Sequence, residues 1–278
     1  MRIVCISEIH GNLPALEAVL RHARTLSPDL ICSLGDQIGF GPQPREVLAL
    51  LEREEIPCLL GNHELRQNDY LLRRDPALET DVNFAIVRHI QTLIEDKPFR
   101  LPRSHQIEEI TFAHAAPDDP VTHLDTPNDL ERALARTPTR YLVCGHQHMQ
   151  LAYHLDGRSL HIVGSAGMPE NALPGTAQFT QVDIVRGGVQ VTPYTITYDA
   201  SPIRDAFVRN GFAQACPIMS RLCCEAMLYH RNILSPFFHH AARVQKQRGE
   251  ATLTLECWRA AADTFTWLTD GTWTDYWK

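Results

Sequence analysis

Residues 2–12 read Arg2-Ile3-Val4-Cys5-Ile6-Ser7-Glu8-Ile9-His10-Gly11-Asn12, and this stretch decides the fold. Its first half is a short apolar run rich in β-branched residues, which predicts a buried strand. The strand ends at Glu8 and His10, whose two-residue spacing places both side chains on one face of an extended segment. A carboxylate oxygen and an imidazole nitrogen pointing into one space are half of a metal site. The pair alone is more often a solvated strand end than half of a metal site, so its meaning depends on recurrence along the chain.

The same arrangement of polar residues after a strand recurs along the chain. The groups are Asp36 after Leu30–Leu34, Asn62 and His63 after Ile56–Leu60, His114 after Ile107–Ala113, and His146 and His148 after Tyr141–Cys144. Amphipathic helices are expected between the first strands, at 13–26 and 45–54. Alternating strands and helices predict an α/β fold, in which ligands collect at the carboxyl ends of the strands.

Later strands are expected at Leu160–Val163, Gln178–Val185 and Val189–Thr197, the last two joined by a hairpin turn at Gly187-Gly188. The segment from Leu65 to Leu101 is mostly helical and charged, and we expect no site there.

Beyond Tyr198 the pattern changes to amphipathic helical runs at Ile203–Ala215, Pro217–Leu234 and Leu253–Leu268. One helical face carries Met219, Leu222, Cys223, Ala226 and Met227. We expect this face to be buried against the main domain or in a homodimer interface, and the sequence leaves both open.

Composition narrows the function classes. With 278 residues, 44% hydrophobic and 21% charged, the chain is expected to be a packed globule. Its formal net charge of −7 argues against an extended nucleic-acid or anionic-membrane surface. Without an apolar segment of membrane-spanning length or a leader at its N-terminus, we expect a cytoplasmic protein. The eight cysteines fit reduced structural thiols.

In order and in their glycine neighbours, the strand-end groups resemble the calcineurin-like metallophosphoesterase superfamily. Its blocks read Asp-x-His, Gly-Asp, Gly-Asn-His-Asp/Glu, a lone His after a strand, and Gly-His-x-His. All five occur here in sequence, the first as Glu-x-His, across about residues 1–200. The runs Ile9–Leu16 and Gly35–Pro42 look most like the small phosphodiesterases of the YfcE-like group.

The resemblance implies a four-layer αββα sandwich of the α/β class (α+β in some schemes), with a metallophosphoesterase domain at 1–200 and a helical extension at 201–278.

The resemblance also implies a site with two divalent metal ions. One ion would be held by Glu8, His10, Asp36 and His148, and the other by Asp36, Asn62, His114 and His146. Asp36 would bridge them, and His63 would be the general acid for the leaving alcohol. Alternatively, His63 binds phosphate or supports a metal ligand without proton transfer. Mn²⁺ is the first expectation, with Fe, Zn²⁺, Ni²⁺ or Co²⁺ also suited to these ligands. Two such ions can acidify a bridging water into hydroxide and bind phosphate oxygens.

Glu8 departs from the family pattern, which has aspartate at this position. The charge and the oxygen donor are retained, but the side chain is longer by a methylene. Either the loop accommodates glutamate and the site stays active, or the first metal is weakly held and turnover is slow.

The resulting expectation is a phosphodiesterase acting on a small phosphoester. The alternatives are a phosphomonoesterase or protein phosphatase, and a weakly catalytic metal-binding regulator, which Glu8 favours. Phosphoprotein phosphatases carry Asp-Arg-Gly after the second block, where this chain has Gly39-Phe40-Gly41. Loss of that arginine removes a fixed cation for a monoester dianion and favours diesters.

Overall fold

The computed structural model describes residues 1–170 and 172–277. The strands are β1 (Arg2–Ile6), β2 (Leu30–Ser33), β3 (Ser104–Ile107), β4 (Ile110–Ala113), β5 (Tyr141–Cys144), β6 (Gln150–Leu155), β7 (Arg158–Val163), β8 (Thr176–Val185) and β9 (Gly188–Thr197). They form two sheets, with strand orders β2-β1-β8-β9 and β3-β4-β5-β7-β6. Strands β1 and β2 are parallel, as are β4, β5 and β7, while the hairpin of β8 and β9 is antiparallel.

The helices of the first part are α1 (Leu13–Thr25), α2 (Pro44–Arg53), α3 (Asn62–Leu71), α4 (Ala77–Thr80), α5 (Ala85–Leu93) and α6 (Pro127–Ala135), with a 3-10 turn at Val82–Phe84. Helix α1 begins where the side chain of Asn12 accepts a hydrogen bond from the backbone N–H of Ala15 at 3.2 Å.

Buried apolar side chains join the layers. Ile3 and Val182 of the first sheet meet Phe112 and Val143 of the second in one cluster. Helices α1 and α2 cover the outer face of the first sheet, and α6 covers the outer face of the second. The predicted αββα sandwich is therefore confirmed.

Two strand predictions are wrong. Residues 56–60 form only an isolated bridge between Ser33 and Cys58, because Pro57 has no N–H to continue a ladder. The strand predicted at Ile107–Ala113 is a hairpin, since the chain turns at Glu108 with a φ of 50° and β4 starts at Ile110. Even so, Asn62 and His114 lie where they were expected, at the carboxyl ends of the parallel strands.

The C-terminal part contains α7 (Pro202–Arg209), α8 (Phe212–Ala215), α9 (Pro217–Tyr229), α10 (Leu234–Arg248) and α11 (Leu255–Thr264). The predicted run Ile203–Ala215 is broken by Gly211, whose φ is 77°. Helix α9 ends before His230, and α10 was not predicted as a separate helix. Pro236 suggests a break, but it lies in the first turn of α10, where proline is tolerated.

The apolar face of α9 is buried within the chain. Its members Met219, Leu222, Cys223, Ala226 and Met227 lie in one cluster with Ile38, Ile86 and Val87. We expected this face to be buried either against the main domain or in a homodimer interface, and the structure shows it packed against the main domain. The boundary between 1–200 and 201–278 stays a prediction, because both parts share this cluster. No helix in the described ranges is long and apolar enough to cross a membrane.

Candidate metal centre

The polar groups that follow the strands meet in a cavity of about 370 Å³. A larger cleft of about 740 Å³ lies between the sheets beside β6 and β9. We assign the site to the smaller cavity, because every possible metal-binding cluster of His, Cys, Asp and Glu among the described residues lies there.

The first group of ligand atoms is a triangle formed by Glu8, His10 and His148. The Nε2 atom of His10 lies 3.2 Å from Oε2 of Glu8 and 3.1 Å from Nε2 of His148. The third side, from Nε2 of His148 to Oε2 of Glu8, is 3.3 Å. Ligand atoms that share one ion about 2.1 Å away lie about 3.0 to 3.4 Å apart. The three atoms therefore have the spacing of a shared ion.

The second group is a triangle of Asn62, His114 and His146. The Oδ1 atom of Asn62 lies 2.9 Å from Nε2 of His114 and 3.0 Å from Nδ1 of His146, and these two nitrogens are 3.2 Å apart. An amide oxygen and two imidazole nitrogens at this spacing also fit one ion.

Asp36 lies between the two triangles. Its Oδ1 is 3.6 Å from Nε2 of His114, and its Oδ2 is 3.9 Å from Nε2 of His10. Its two oxygens thus face different triangles. The structure brings all seven predicted ligand residues together, and Asp36 occupies the position expected of a bridging ligand.

The backbone turns sharply at these residues. Glu8, His10, Asp36 and His146 all have positive φ, between 49° and 67°. Such conformations are uncommon outside glycine and cluster at functional sites, where the surrounding structure enforces them. The turns direct side chains from successive strand ends into one space.

The imidazoles are prepared to bind a cation. The Nδ1–H groups of His10 and His114 can donate to the carbonyls of Ile38 at 3.2 Å and Leu34 at 3.1 Å, which leaves each Nε2 lone pair free. Burial lowers the pKa of His10 and of His114, and lowers that of His146 to about 4. Burial also acts to lower the pKa of His148, but the Glu8 carboxylate outweighs it and raises that pKa.

The carboxylates supply negative charge that a cation would balance. Burial raises the pKa of Asp36 well above its usual value, and the nearby Glu8 and Glu64 carboxylates add to this. Burial also acts to raise the pKa of Glu8, yet the imidazoles around it hold that pKa well below its usual range. The donor set therefore fits divalent ions.

Glu8 uses its two oxygens differently. Its Oε1 accepts hydrogen bonds from the backbone N–H of His146 at 2.7 Å and from the hydroxyl of Ser7 at 2.9 Å. Its Oε2 belongs to the first triangle. The extra methylene is thus accommodated by a loop that ties one oxygen to the protein and leaves the other for an ion.

His63 lies beside the centre at the start of α3. Its backbone N–H donates to Oδ1 of Asp36 at 2.9 Å, and its ring packs edge-on against Phe40, with centroids 4.5 Å apart. Nearby Gly39 has a φ of 139°, and a Cβ there would lie 2.5 Å from Nδ1 of His63. The Gly39-Phe40-Gly41 run therefore makes room for the His63 ring.

Sequence analysis missed two residues that lie at the candidate site. Glu64 is fully buried and accepts from the backbone N–H groups of Asp36, Gly61 and Ile38, at 2.9, 3.0 and 3.1 Å. It therefore orients Asp36. Burial raises the pKa of Glu64 to about 7, although those N–H groups act to lower it. Glu64 stands inside the Gly-Asn-His-Glu block, which was the available signal.

The second missed residue is Arg66, one helical turn beyond His63 on α3. It lines the cavity together with apolar walls from α5, α9, α10 and neighbouring loops. These walls include Phe40, Phe84, Met219 and Phe238. Although no site was expected between Leu65 and Leu101, Arg66, Phe84 and α5 therefore contribute to the wall of this cavity. The many charged residues in this segment are typical of a solvated helix. Only the tertiary fold shows which face of α3 meets the cavity.

Comparison with known proteins identifies the family of this chain and its relatives in fold. The family model described as calcineurin-like phosphoesterase matches residues 1–150. A metallophosphoesterase structure from Sphaerobacter thermophilus superposes with a TM-score of 0.63 and 24% identity, over 76% of this chain and 95% of that one. The latter likeness concerns the fold alone.

Relatives by sequence match shorter regions. The uncharacterized protein MJ0912 of Methanocaldococcus jannaschii is 27% identical over 123 residues, which are 42% of this chain and 51% of that protein. A symmetrical bis(5'-nucleosyl)-tetraphosphatase of Pseudomonas syringae pv. syringae is 32% identical over 88 residues, covering 28% of this chain and 30% of that enzyme. The chain thus spans about half or less of the length of these relatives.

Proposed function

Because this chain belongs to the calcineurin-like phosphoesterase family, we propose that it is a metal-dependent hydrolase of phosphoesters that uses two divalent ions. The observation that carries the proposal is the pair of ligand triangles with Asp36 between them. Glu8, His10, Asp36 and His148 would hold one ion. Asp36, Asn62, His114 and His146 would hold the other. When bound, two such ions lower the pKa of water and neutralise phosphate charge.

The side chains around the ions position the substrate and manage its proton. His63 lies beside Asp36, with Nε2 3.9 Å from Oδ2, and faces the same cavity. Burial, aided by the charge of Arg66, lowers the pKa of His63 well below its usual value. A bound phosphate would oppose that shift, so His63 would take up a proton with the substrate and deliver it to the leaving oxygen.

The preferred substrate class is a phosphodiester, as expected from the sequence. The Asp-Arg-Gly arginine is replaced, but Arg66 still supplies a cation to the cavity. The missing arginine therefore favours diesters over monoesters less strongly than the sequence suggests. A second candidate is cleavage within a polyphosphate chain, favoured by the match to the Pseudomonas tetraphosphatase.

The test is metal analysis of protein purified without chelator, followed by hydrolysis assays with added Mn²⁺. Bis(p-nitrophenyl) phosphate represents diesters and p-nitrophenyl phosphate represents monoesters. We expect bound divalent metal and metal-dependent turnover, faster for the diester. Protein that takes up no divalent metal and hydrolyses neither ester would refute the proposal.

His63→Ala separates proton donation from binding. A general acid matters least when the leaving alcohol is already acidic, so the variant should lose more activity on alkyl esters than on nitrophenyl esters. Equal losses on both, with metal content unchanged, would instead assign His63 to phosphate binding.

A further inference from the structure

Arg66 places a positive charge in the wall of the cavity, within electrostatic range of the Asp36 carboxylate. No hydrogen bond or ion pair connects its guanidinium to another residue within 1–170 and 172–277, and the guanidinium lies over the Phe84 ring, 5.9 Å from Cζ to the centroid. The side chain is nevertheless half-buried, and burial lowers its pKa. A partly desolvated guanidinium whose N–H groups have no hydrogen-bond acceptor among the described residues is costly unless a ligand supplies one.

Arg66 lies on the same helix as His63, the candidate general acid. It lies three residues after His63 on α3, and residues at this spacing are neighbours on one helix face. Both side chains line the cavity that contains the metal ligands. If His63 delivers a proton to the leaving oxygen, the departing group lies on the side of the cavity where Arg66 stands.

The side chains that line the cavity indicate which chemical groups the departing group contains. Arg66 is the one arginine or lysine among the described residues that line it. A guanidinium binds phosphate with paired N–H donors, which a hydroxyl or an alkyl chain cannot use equally well. The rings of Phe84 and Phe238 beside it offer apolar faces, and Phe238 is 37% exposed, so a flat base could reach it.

We propose that Arg66 forms a second anion subsite, which binds a phosphate on the leaving group and makes the chain select nucleotides with a polyphosphate chain. This deepens the second candidate of the proposed function, cleavage of a P–O–P bond within a polyphosphate chain, and rests on it. The scissile phosphate lies at the metal centre, while the next phosphate along the chain pairs with Arg66. Simple diesters such as dinucleoside monophosphates lack the group that this subsite recognises.

The test compares two Mn²⁺-dependent substrates that differ in phosphate number, diadenosine tetraphosphate and diadenosine monophosphate. Arg66→Met should reduce the ratio of their kcat/KM values by about ten- to a hundredfold, the effect of losing a charged hydrogen bond. Arg66→Lys should recover part of the ratio. Arg53→Met is the matched control, because its side chain is 70% exposed on α2. An unchanged ratio in Arg66→Met would overturn the proposal.

Calorimetric titration with ADP keeps this proposal separate from the proposed function. We expect the wild-type protein to bind ADP at least about tenfold more tightly than Arg66→Met, whether or not it hydrolyses any ester. Equal affinities would refute the subsite even if the enzyme is active. Absence of hydrolysis with the expected affinity difference would refute only the proposed function.

Discussion

At the scale of single residues, Glu8 shows how a departure from the family pattern is accommodated. The longer side chain lets Oε1 accept the His146 N–H while Oε2 stays 3.2 to 3.3 Å from the imidazoles of His10 and His148. An aspartate cannot span both positions without a shift of the loop. The structure therefore supports an adapted first site.

We expect Glu8→Asp to bind the first ion no more tightly than the wild type. If the shorter side chain keeps the ion, the His146 N–H loses its partner, at a cost of about 1–3 kcal/mol. Metal titration and thermal unfolding measure both effects, and Glu8→Gln is the control that removes charge at constant length. Tighter metal binding and faster turnover in Glu8→Asp would show that glutamate impairs the site.

His161 provides a pH-dependent contribution to stability away from the metal centre. Its Nε2 lies 3.0 Å from the Ser159 hydroxyl, and burial lowers its pKa to about 4. An unfolded histidine has a pKa of about 6.5, so between these values the unfolded chain binds more protons. The contribution is thus complete above about pH 6.5 and is lost as the pH falls towards 4.

His161→Asn should therefore show a smaller drop in melting temperature than the wild type between about pH 7 and pH 5. His123→Asn is the matched control, because that side chain is 81% exposed. If His161→Asn and the wild type lose the same number of degrees, burial of His161 does not contribute to acid sensitivity.

The candidate ligands could be picked out in the sequence because each follows a short apolar run, and several of these runs end at a glycine. Arg66 was not predictable in this way. It stands on a charged helix, where sequence periodicity does not show which of several charged residues turns inward. Phe238, from a distant helix, carried no local signal at all.

At the scale of elements, α9 is anchored to the C-terminal segment by a buried ion pair. Arg221 and Glu225 are both fully buried, and Nε of Arg221 lies 2.8 Å from Oε1 of Glu225. The guanidinium also stacks 4.0 Å above the ring of Trp267. Thr269 donates to Glu225 and accepts from Arg221. The pair therefore ties this segment to the helix that carries Met219 into the cavity.

Glu225→Ala should reduce the free energy of unfolding by about 3–5 kcal/mol, because it leaves the Arg221 charge buried without its partner. The double variant Arg221→Met with Glu225→Met should recover much of that loss. Chemical unfolding of both variants measures the difference. A double variant less stable than Glu225→Ala would mean that the charges themselves, and not their pairing, stabilise α9.

Elements were predicted more reliably than their ends. The hairpin of β8 and β9 was identified by its glycine turn, whereas β3 and β6 were missed because their residues are half-exposed and show little apolar alternation. The break at Gly211 and the helical start around Pro236 depend on local backbone conformation that an amphipathic pattern does not encode.

At the scale of the whole molecule, the helical extension completes the wall of the candidate site. Met219 of α9 and Phe238 of α10 line the same cavity as Asp36 and His63. Their helices also share a buried cluster with Ile38 and α5. The sequence predicted the apolar face of α9, and the packing shows that α9 and α10 contribute to the wall of the cavity.

Truncation after Asp199 should expose this cluster and cause aggregation, as measured by light scattering of the purified protein. Exposed apolar clusters of this kind are aggregation liabilities. A soluble, monomeric truncation with full activity would show that the extension is dispensable for both folding and the site.

The central claim is that one carboxylate joins two metal sites, and metal analysis of Asp36→Asn tests it most directly. Wild-type protein should carry two divalent ions per chain, and His148→Ala should weaken only the first. Asp36→Asn should lower the occupancy of both, because the two oxygens of Asp36 face different triangles. Two tightly bound ions in Asp36→Asn would contradict the ligand assignment.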